Sequence, residues 1–157
     1  MIFIFYLVVN MGFLYVFFNI QRKQLVPLEI LLYWCLSSLL TQNYSALQTM
    51  NFKSSMIPDQ LSPEFAQFFN RTVLYPILAL LFLHAYNASK KAGPKVVCIV
   101  GFSLLMYGFD YLSSVLGVFV HVTVKEWWSA AFWLLHNVIL VGVMSIFRKK
   151  LQSGGIH

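Results

Sequence analysis

The sequence predicts an all-α integral membrane bundle of five transmembrane helices, and three observations lead there. Of 157 residues, 59% are hydrophobic and 10% charged, with a mean hydropathy of +0.72, a balance wrong for a soluble domain of this length. Long apolar runs follow one another with short connections; at about 20 residues per pass of a ~30 Å hydrocarbon core, the chain holds five passes and no sizeable soluble domain. Eight of the eleven basic residues fall in three clusters, Arg22-Lys23, Lys90-Lys91-Lys95 and Arg148-Lys149-Lys150, each ending or joining apolar runs. The other three, Lys53, Arg71 and Lys125, lie in or beside the intervening connections, where Asp59, Glu64 and Glu126 offset them.

The first helix is expected over residues 2–20, an apolar run interrupted by Asn10, Gly12 and Asn19 and ended by Gln21-Arg22-Lys23-Gln24. It has no basic n-region and no small-residue cleavage site before Arg22, so it reads as a retained helix instead of a signal peptide. The second is expected over 27–47: Pro27 suits a first turn, where its missing N–H is an orphan donor anyway, and Glu29 meets the positive end of the helix dipole. Polar residues from Gln48 to Ser62 make the longest connection.

Ser62-Pro63-Glu64 reads as N-cap, first position and first turn of a third helix over 63–87. Pro76 lies inside it and predicts a kink near Thr72, tolerable if a neighbour satisfies the freed carbonyl. Gly93 can end that stretch and Pro94 begin the fourth helix, expected over 95–121. Thr123-Val124-Lys125-Glu126 has capping-box spacing and opens a fifth helix over 124–147, so residues 1–150 form a single domain followed by a flexible cytoplasmic tail, 151–157. No internal repeat of the kind found in many transporters is present.

The excess of Lys and Arg in the short connections places the three clusters in the cytoplasm, and an odd number of passes then puts the N-terminus outside. Trp127 and Trp128 would open the fifth helix at the outer interface, and Tyr86 would sit at the inner one. A formal charge of +6 would suit nucleic acid only as a continuous patch; at helix ends it sets topology and meets anionic headgroups. The expected partners are the lipid bilayer and a membrane protein or second copy of the chain, with no nucleic acid and no cofactor.

Asp110 is the position of most chemical interest, because a carboxylate at bilayer depth costs at least about 2.5 kcal/mol and must face inward. Ser103, Tyr107, Asp110, Ser113, Ser114, Gly117 and His121 recur every three or four residues and so share one helical stripe. At 1.5 Å per residue, Asp110 lies about 16 Å deep, His136 about 15 to 18 Å and Asn10 about 14 Å, depths at which the three can meet. Arg71 is the nearest fixed positive charge. The candidate intramembrane polar site read from the residues is therefore Asp110, His136, Asn10, Arg71, Tyr107 and Ser114.

Such a cluster supports two readings. A desolvated carboxylate beside an imidazole can carry protons or cations. Polar residues between helices equally serve as glue, and Ser113-x-x-x-Gly117 offers a close-packing surface. The second reading is favoured, because no second intramembrane acid accompanies Asp110. No H-E-x-x-H, phosphate-binding glycine loop or paired carboxylates occur, and His84 and His136 are badly placed for haem, so an enzyme lacks a supporting motif. Cys35 and Cys98 lack redox or metal spacing and read as packing residues. Trp34, Trp127, Trp128, Trp133 and the phenylalanines read as packing and lipid-facing.

Asp110-Tyr111 in the penultimate helix, Trp128-Ser129 opening the last helix, Asn137 within it and a basic end after Phe147 together resemble a family of small multi-pass membrane proteins of unknown function from Bacillus, Clostridium and related spore-forming bacteria. That resemblance implies a bacterial cytoplasmic membrane location, supplies no activity, adds weight to Asp110 and Trp128, and brings Asn137 into the candidate intramembrane polar site as its seventh residue. The expected role is a non-enzymatic membrane component or accessory subunit acting through helix contacts; the alternative is a small proton- or cation-coupled transporter or channel using Asp110 and His136. A membrane enzyme without a recognised motif is the third reading.

Overall fold

A helix apolar on all sides must lie in the middle of a bundle, and the stretch around Pro76 is such a helix. The computed structural model describes residues 2–20, 25–48, 55–56, 61–118, 120–121 and 127–153. It contains α1 (Ile2–Ile20), α2 (Pro27–Ala46), α3, α4 (Ala92–Val115) and α5 (Trp127–Ser153), with two short strands, β1 (Ser55–Met56) and β2 (Val120–His121). Helix α3 runs as an α-helical segment Leu61–Phe69, a π-helical stretch Asn70–Leu74 and a second α-helical segment Tyr75–Ala88. All residues from Tyr75 to Leu83 are buried, and α3 touches each of the other four helices. Helix α2 packs on α3 and α5, α5 packs on α4, and α1 closes the remaining side of α3, reaching α4 through Tyr6–Ser113 and Phe13–Phe109 contacts.

Contacts between helix termini fix the alternation. Tyr44 near the end of α2 bonds Ser129 near the start of α5, and Tyr6 near the start of α1 bonds Ser113 near the end of α4. Glu29 at the start of α2 pairs with Arg148 near the end of α5. Successive helices are therefore antiparallel, and α1 begins at one end of the bundle, here the Trp127 end, while α5 finishes at the other, the Arg148 end. The antiparallel pairs Ser55–His121 and Met56–Val120 join the α2–α3 and α4–α5 connections at the Trp127 end.

Among the described residues, four helices are long and apolar enough to cross a membrane: Ile2–Ile20, Glu64–Ala88, Ala92–Val115 and Trp127–Lys150. Helix α2, expected as a fifth span, has the length but not the apolarity. Its polar positions explain why: Glu29, Tyr33, Ser37, Thr41 and Ser45 recur every fourth residue and are all buried. Leu28, Leu31 and Leu39 face out.

Several expected boundaries shift. Helix α4 stops at Val115 instead of reaching 121. Gly117 takes φ 72°, its N–H bonds the Ser114 carbonyl, and the Val118 N–H bonds the Ser113 carbonyl, which is a Schellman stop. Gly117 is thus a helix terminator and not half of a close-packing pair, and His121 leaves the helical stripe for β2. Buried Val118 secures the stop by packing beside Tyr6 and Ala66. Helix α3 begins at Leu61, so Ser62 lies inside its first turn. Helix α4 begins at Ala92 after N-cap Lys91, which puts Gly93 and Pro94 inside its first turn. Helix α5 continues past Phe147 to Ser153, and Arg148 within it is held by Glu29 and Asn87. Cys35, expected to pack, is exposed. The Thr123–Glu126 capping box, the Arg22-Lys23 pair and residues 154–157 of the expected tail fall outside the described residues.

The kink predicted from Pro76 takes the form of the π-helical stretch directly before it. Tyr75 N–H bonds the Asn70 carbonyl, five residues back; with Pro76 lacking an N–H, the next carbonyl in that ladder, Arg71, has no helical donor. Thr41 Oγ1 of α2 lies 3.3 Å from it, and 3.0 Å from the carbonyls of Ser37 and Ser38, so its proton can reach any of the three.

Candidate functional site

The π-helical stretch has a second effect: it sets Asn70 and Arg71, with Gln67 before and Tyr75 after, along one wall of a small cavity near the Trp127 end. Thr41, Tyr44, Ser45 and Gln48 of α2, Asp110 and Ser113 of α4, and Trp133 of α5 complete the lining. The space is about 30 Å³, enough for about two water molecules. Asp110 is 8% exposed and lines the cavity, so its carboxylate is turned inward, the direction expected of it. Arg71 shares the cavity wall, which puts one acid and one base around the same water-sized space.

Hydroxyls tie the walls together. Ser113 Oγ donates to the Phe109 carbonyl at 2.8 Å, which leaves it to accept from the Tyr6 hydroxyl at 2.5 Å and, at 3.5 Å, from Asn70 Nδ2. One serine thereby joins α1, α3 and α4. Across the cavity, Gln48 Nε2 donates to the Tyr44 hydroxyl at 2.6 Å, and that oxygen lies 2.9 Å from Ser129 Oγ, joining α2 to α5. The Tyr44 ring stacks on Phe132 with centroids 3.7 Å apart, which fixes the hydroxyl's direction.

The expected meeting of Asp110, His136 and Asn10 does not occur in this cavity, since neither His136 nor Asn10 lines it. Equal depth was only half of the requirement; facing direction is the other half. His136 is 1% exposed, and its Nε2 lies 3.1 Å from Ser37 Oγ on α2, with the ring against Phe132 and Trp133. Asn10 is buried and donates back to the Tyr6 carbonyl of its own helix at 2.7 Å. Asn137 donates to Ser103 Oγ at 2.9 Å, and Ser103 Oγ in turn donates to the Ile99 carbonyl at 2.7 Å, a bridge from α5 to α4. Ser114 serves through its carbonyl in the α4 stop. Tyr107 is half-buried beside Tyr111 and packs against the apolar core. Of the seven candidates, the structure gathers Asp110 and Arg71 at one site, and places His136 and Asn137 in helix-to-helix contacts farther along the bundle.

Sequence reasoning missed a second buried acid. Glu29, 2% exposed, is bound in fork geometry by Arg148, with Nε to Oε1 at 2.7 Å and Nη2 to Oε2 at 3.2 Å. Arg148 Nη1 also donates to Asn87 Oδ1 at 2.6 Å, and Glu29 Oε2 accepts the Val26 N–H at 3.1 Å. This clasp joins α2, α3 and α5 at the Arg148 end. A signal existed: Glu29 begins the four-residue polar repeat of α2, whose inward face it shares.

The chain matches no family model, no curated protein and no solved structure. The chemistry of its buried groups is therefore the ground on which function is read. That chemistry includes a hydratable cavity lined by one acid and one base, and direct helix-to-helix hydrogen bonds at His136, Asn137 and Glu29.

Proposed function

We propose that the chain is a five-pass integral protein of the cell membrane, N-terminus outside and C-terminus in the cytoplasm, acting as a non-enzymatic membrane component through helix contacts. The observation that carries this reading is the inverted distribution of side chains. Buried positions include Asn10, Glu29, Ser37, Asp110, His136 and Asn137, while Ile4, Val8, Leu31, Val97, Leu104 and Leu135 are among many large apolar side chains that face out. Water would favour the reverse; a hydrocarbon solvent favours this arrangement. Helix α2 joins the other four as a span because its polar repeat is covered by α3 and α5, leaving leucines for the lipid. Its 20 residues at about 1.5 Å each match a ~30 Å core. Exposed Lys90, Lys91, Lys149 and Lys150 at the Arg148 end support a cytoplasmic location for that end. Stacked, exposed Trp127 and Trp128 suit the opposite interface.

Helix contacts as the mode of action are supported by how the buried polar groups are used, since His136, Asn137, Ser113, Tyr44 and Glu29 each join one helix to another. The cavity at Asp110 favours a second reading, a proton or cation site. One experiment separates them. After reconstitution in proteoliposomes, helix-contact function predicts no pH-driven flux and an Asp110→Asn variant that keeps its fold and the proteins it co-purifies with in mild detergent. Transport predicts flux that Asp110→Asn abolishes with the fold intact.

A further inference from the structure

Four buried polar atoms on residues lining the Asp110 cavity have no protein partner: Gln67 Oε1, Asn70 Oδ1, Arg71 Nη2 and Trp133 Nε1. Two are acceptors and two are donors, and they come from the first segment of α3, its π-helical stretch and α5. Left dry, each such group would carry an uncompensated desolvation penalty, and four of them surround this one space. The ligand that resolves this must both donate and accept, must reach several walls at once, and must fit about 30 Å³. Water satisfies all three conditions, at about two molecules. Any solute of more than a few heavy atoms is too large.

Access is asymmetric. Towards the Trp127 end the lining residues Tyr44, Gln48 and Arg71 are only half-buried. Towards the Arg148 end the space stops at Tyr75 and Trp133, whose rings lie 4.4 Å apart, and beyond them come the Ser37–His136 contact and the buried run Ile77–Leu83. We propose that the cavity is a permanent hydration site for a pair of waters that links the Asp110 carboxylate to the aqueous phase at the Trp127 end alone, so that this acid exchanges protons with one side of the membrane. The proposal rests on the membrane-spanning reading above and adds to it a sided, water-bearing site.

The test has two parts on the full-length protein. Radiolytic hydroxyl-radical footprinting in lipid nanodiscs reports bound water next to buried side chains. Tyr75 and Trp133 are expected to be oxidised although they are 5% and 1% exposed, while Met106, equally buried but away from the cavity, stays unmodified despite its greater intrinsic reactivity. Tyr75 and Trp133 as unreactive as Met106 would overturn the proposal without any variant being made. Sidedness is read with Ser45→Cys, which lines the cavity, in a Cys35→Ser/Cys98→Ser background, by treating sealed vesicles of either orientation with silver ion and counting surviving thiols after denaturation. Loss of the thiol only when silver is on the side carrying an N-terminal tag supports the proposal. Loss from the other side, from both, or from neither overturns it. Which compartment carries the tag is scored separately, so a wrong orientation and a dry cavity give different results.

Discussion

Arg148 shows how one side chain can be read differently in a sequence and in a fold. In the sequence it is one of three consecutive basic residues; in the structure its guanidinium holds Glu29 and Asn87 in a three-helix clasp. Removing it strands a carboxylate whose side chain is 3% exposed. Arg148→Ala is therefore expected to cost about 3 kcal/mol or more, measured as loss of thermal stability in detergent. Adding Glu29→Gln should recover part of that loss, because the buried charge goes with its partner; strict additivity of the two changes would refute the clasp. Lys149→Ala, one residue on and exposed, should leave stability unchanged within about 0.5 kcal/mol. At Asp110 the inward direction was expected from the cost of exposing a charge to lipid, but its neighbours were not. Depth counting could rank Asp110, His136 and Asn10 at one level; it could not say that His136 turns to Ser37 and Asn10 back to its own helix.

At the scale of the element, glycine at 117 and proline at 76 act through the backbone. Gly117 holds φ 72° with nothing within 4 Å of where a Cβ would sit, so Gly117→Ala costs backbone strain alone, about 1–2 kcal/mol, seen as earlier unfolding. Gly142 lies in the regular helix α5 and is equally open, so Gly142→Ala should be neutral or stabilising by up to about 1 kcal/mol. The opposite pattern in a thermal melt would show that α4 does not stop at Val115. Thr41→Val removes the hydroxyl within reach of the Arg71 carbonyl and should destabilise the chain by about 1 kcal/mol. The approximate helices were legible because apolar runs and helix punctuation are local properties. The stop of α4 was not, because the polar stripe continues in sequence through Gly117 to His121 after the backbone has turned away.

For the whole molecule, the antiparallel order places the start of α1 and the finish of α5 at opposite ends of the bundle. Small epitope tags at the two termini of the membrane-inserted protein should accordingly be digested from opposite faces of sealed vesicles; digestion of both from one face would exclude an odd number of passes. The central position of α3 also follows from a global requirement. The candidate span within it is 61% buried, against 17%, 22% and 28% for those of α1, α4 and α5, so truncation inside Ile77–Leu83 should be far more damaging than the same change in α1. Leu78→Ala is expected to cost about 2–5 kcal/mol, against little for exposed Val8→Ala.

By itself the sequence determined the helical class, the approximate run of its elements and the inward direction of Asp110, because hydropathy, punctuation and the expense of a bare charge in oil are written residue by residue. Only the tertiary structure decided which polar groups meet. Pairing depends on the rotation of each helix about its axis, and that rotation is set by the packing of five helices together, including a π-helical stretch that re-aims Asn70 and Arg71 and a clasp between residues 119 positions apart.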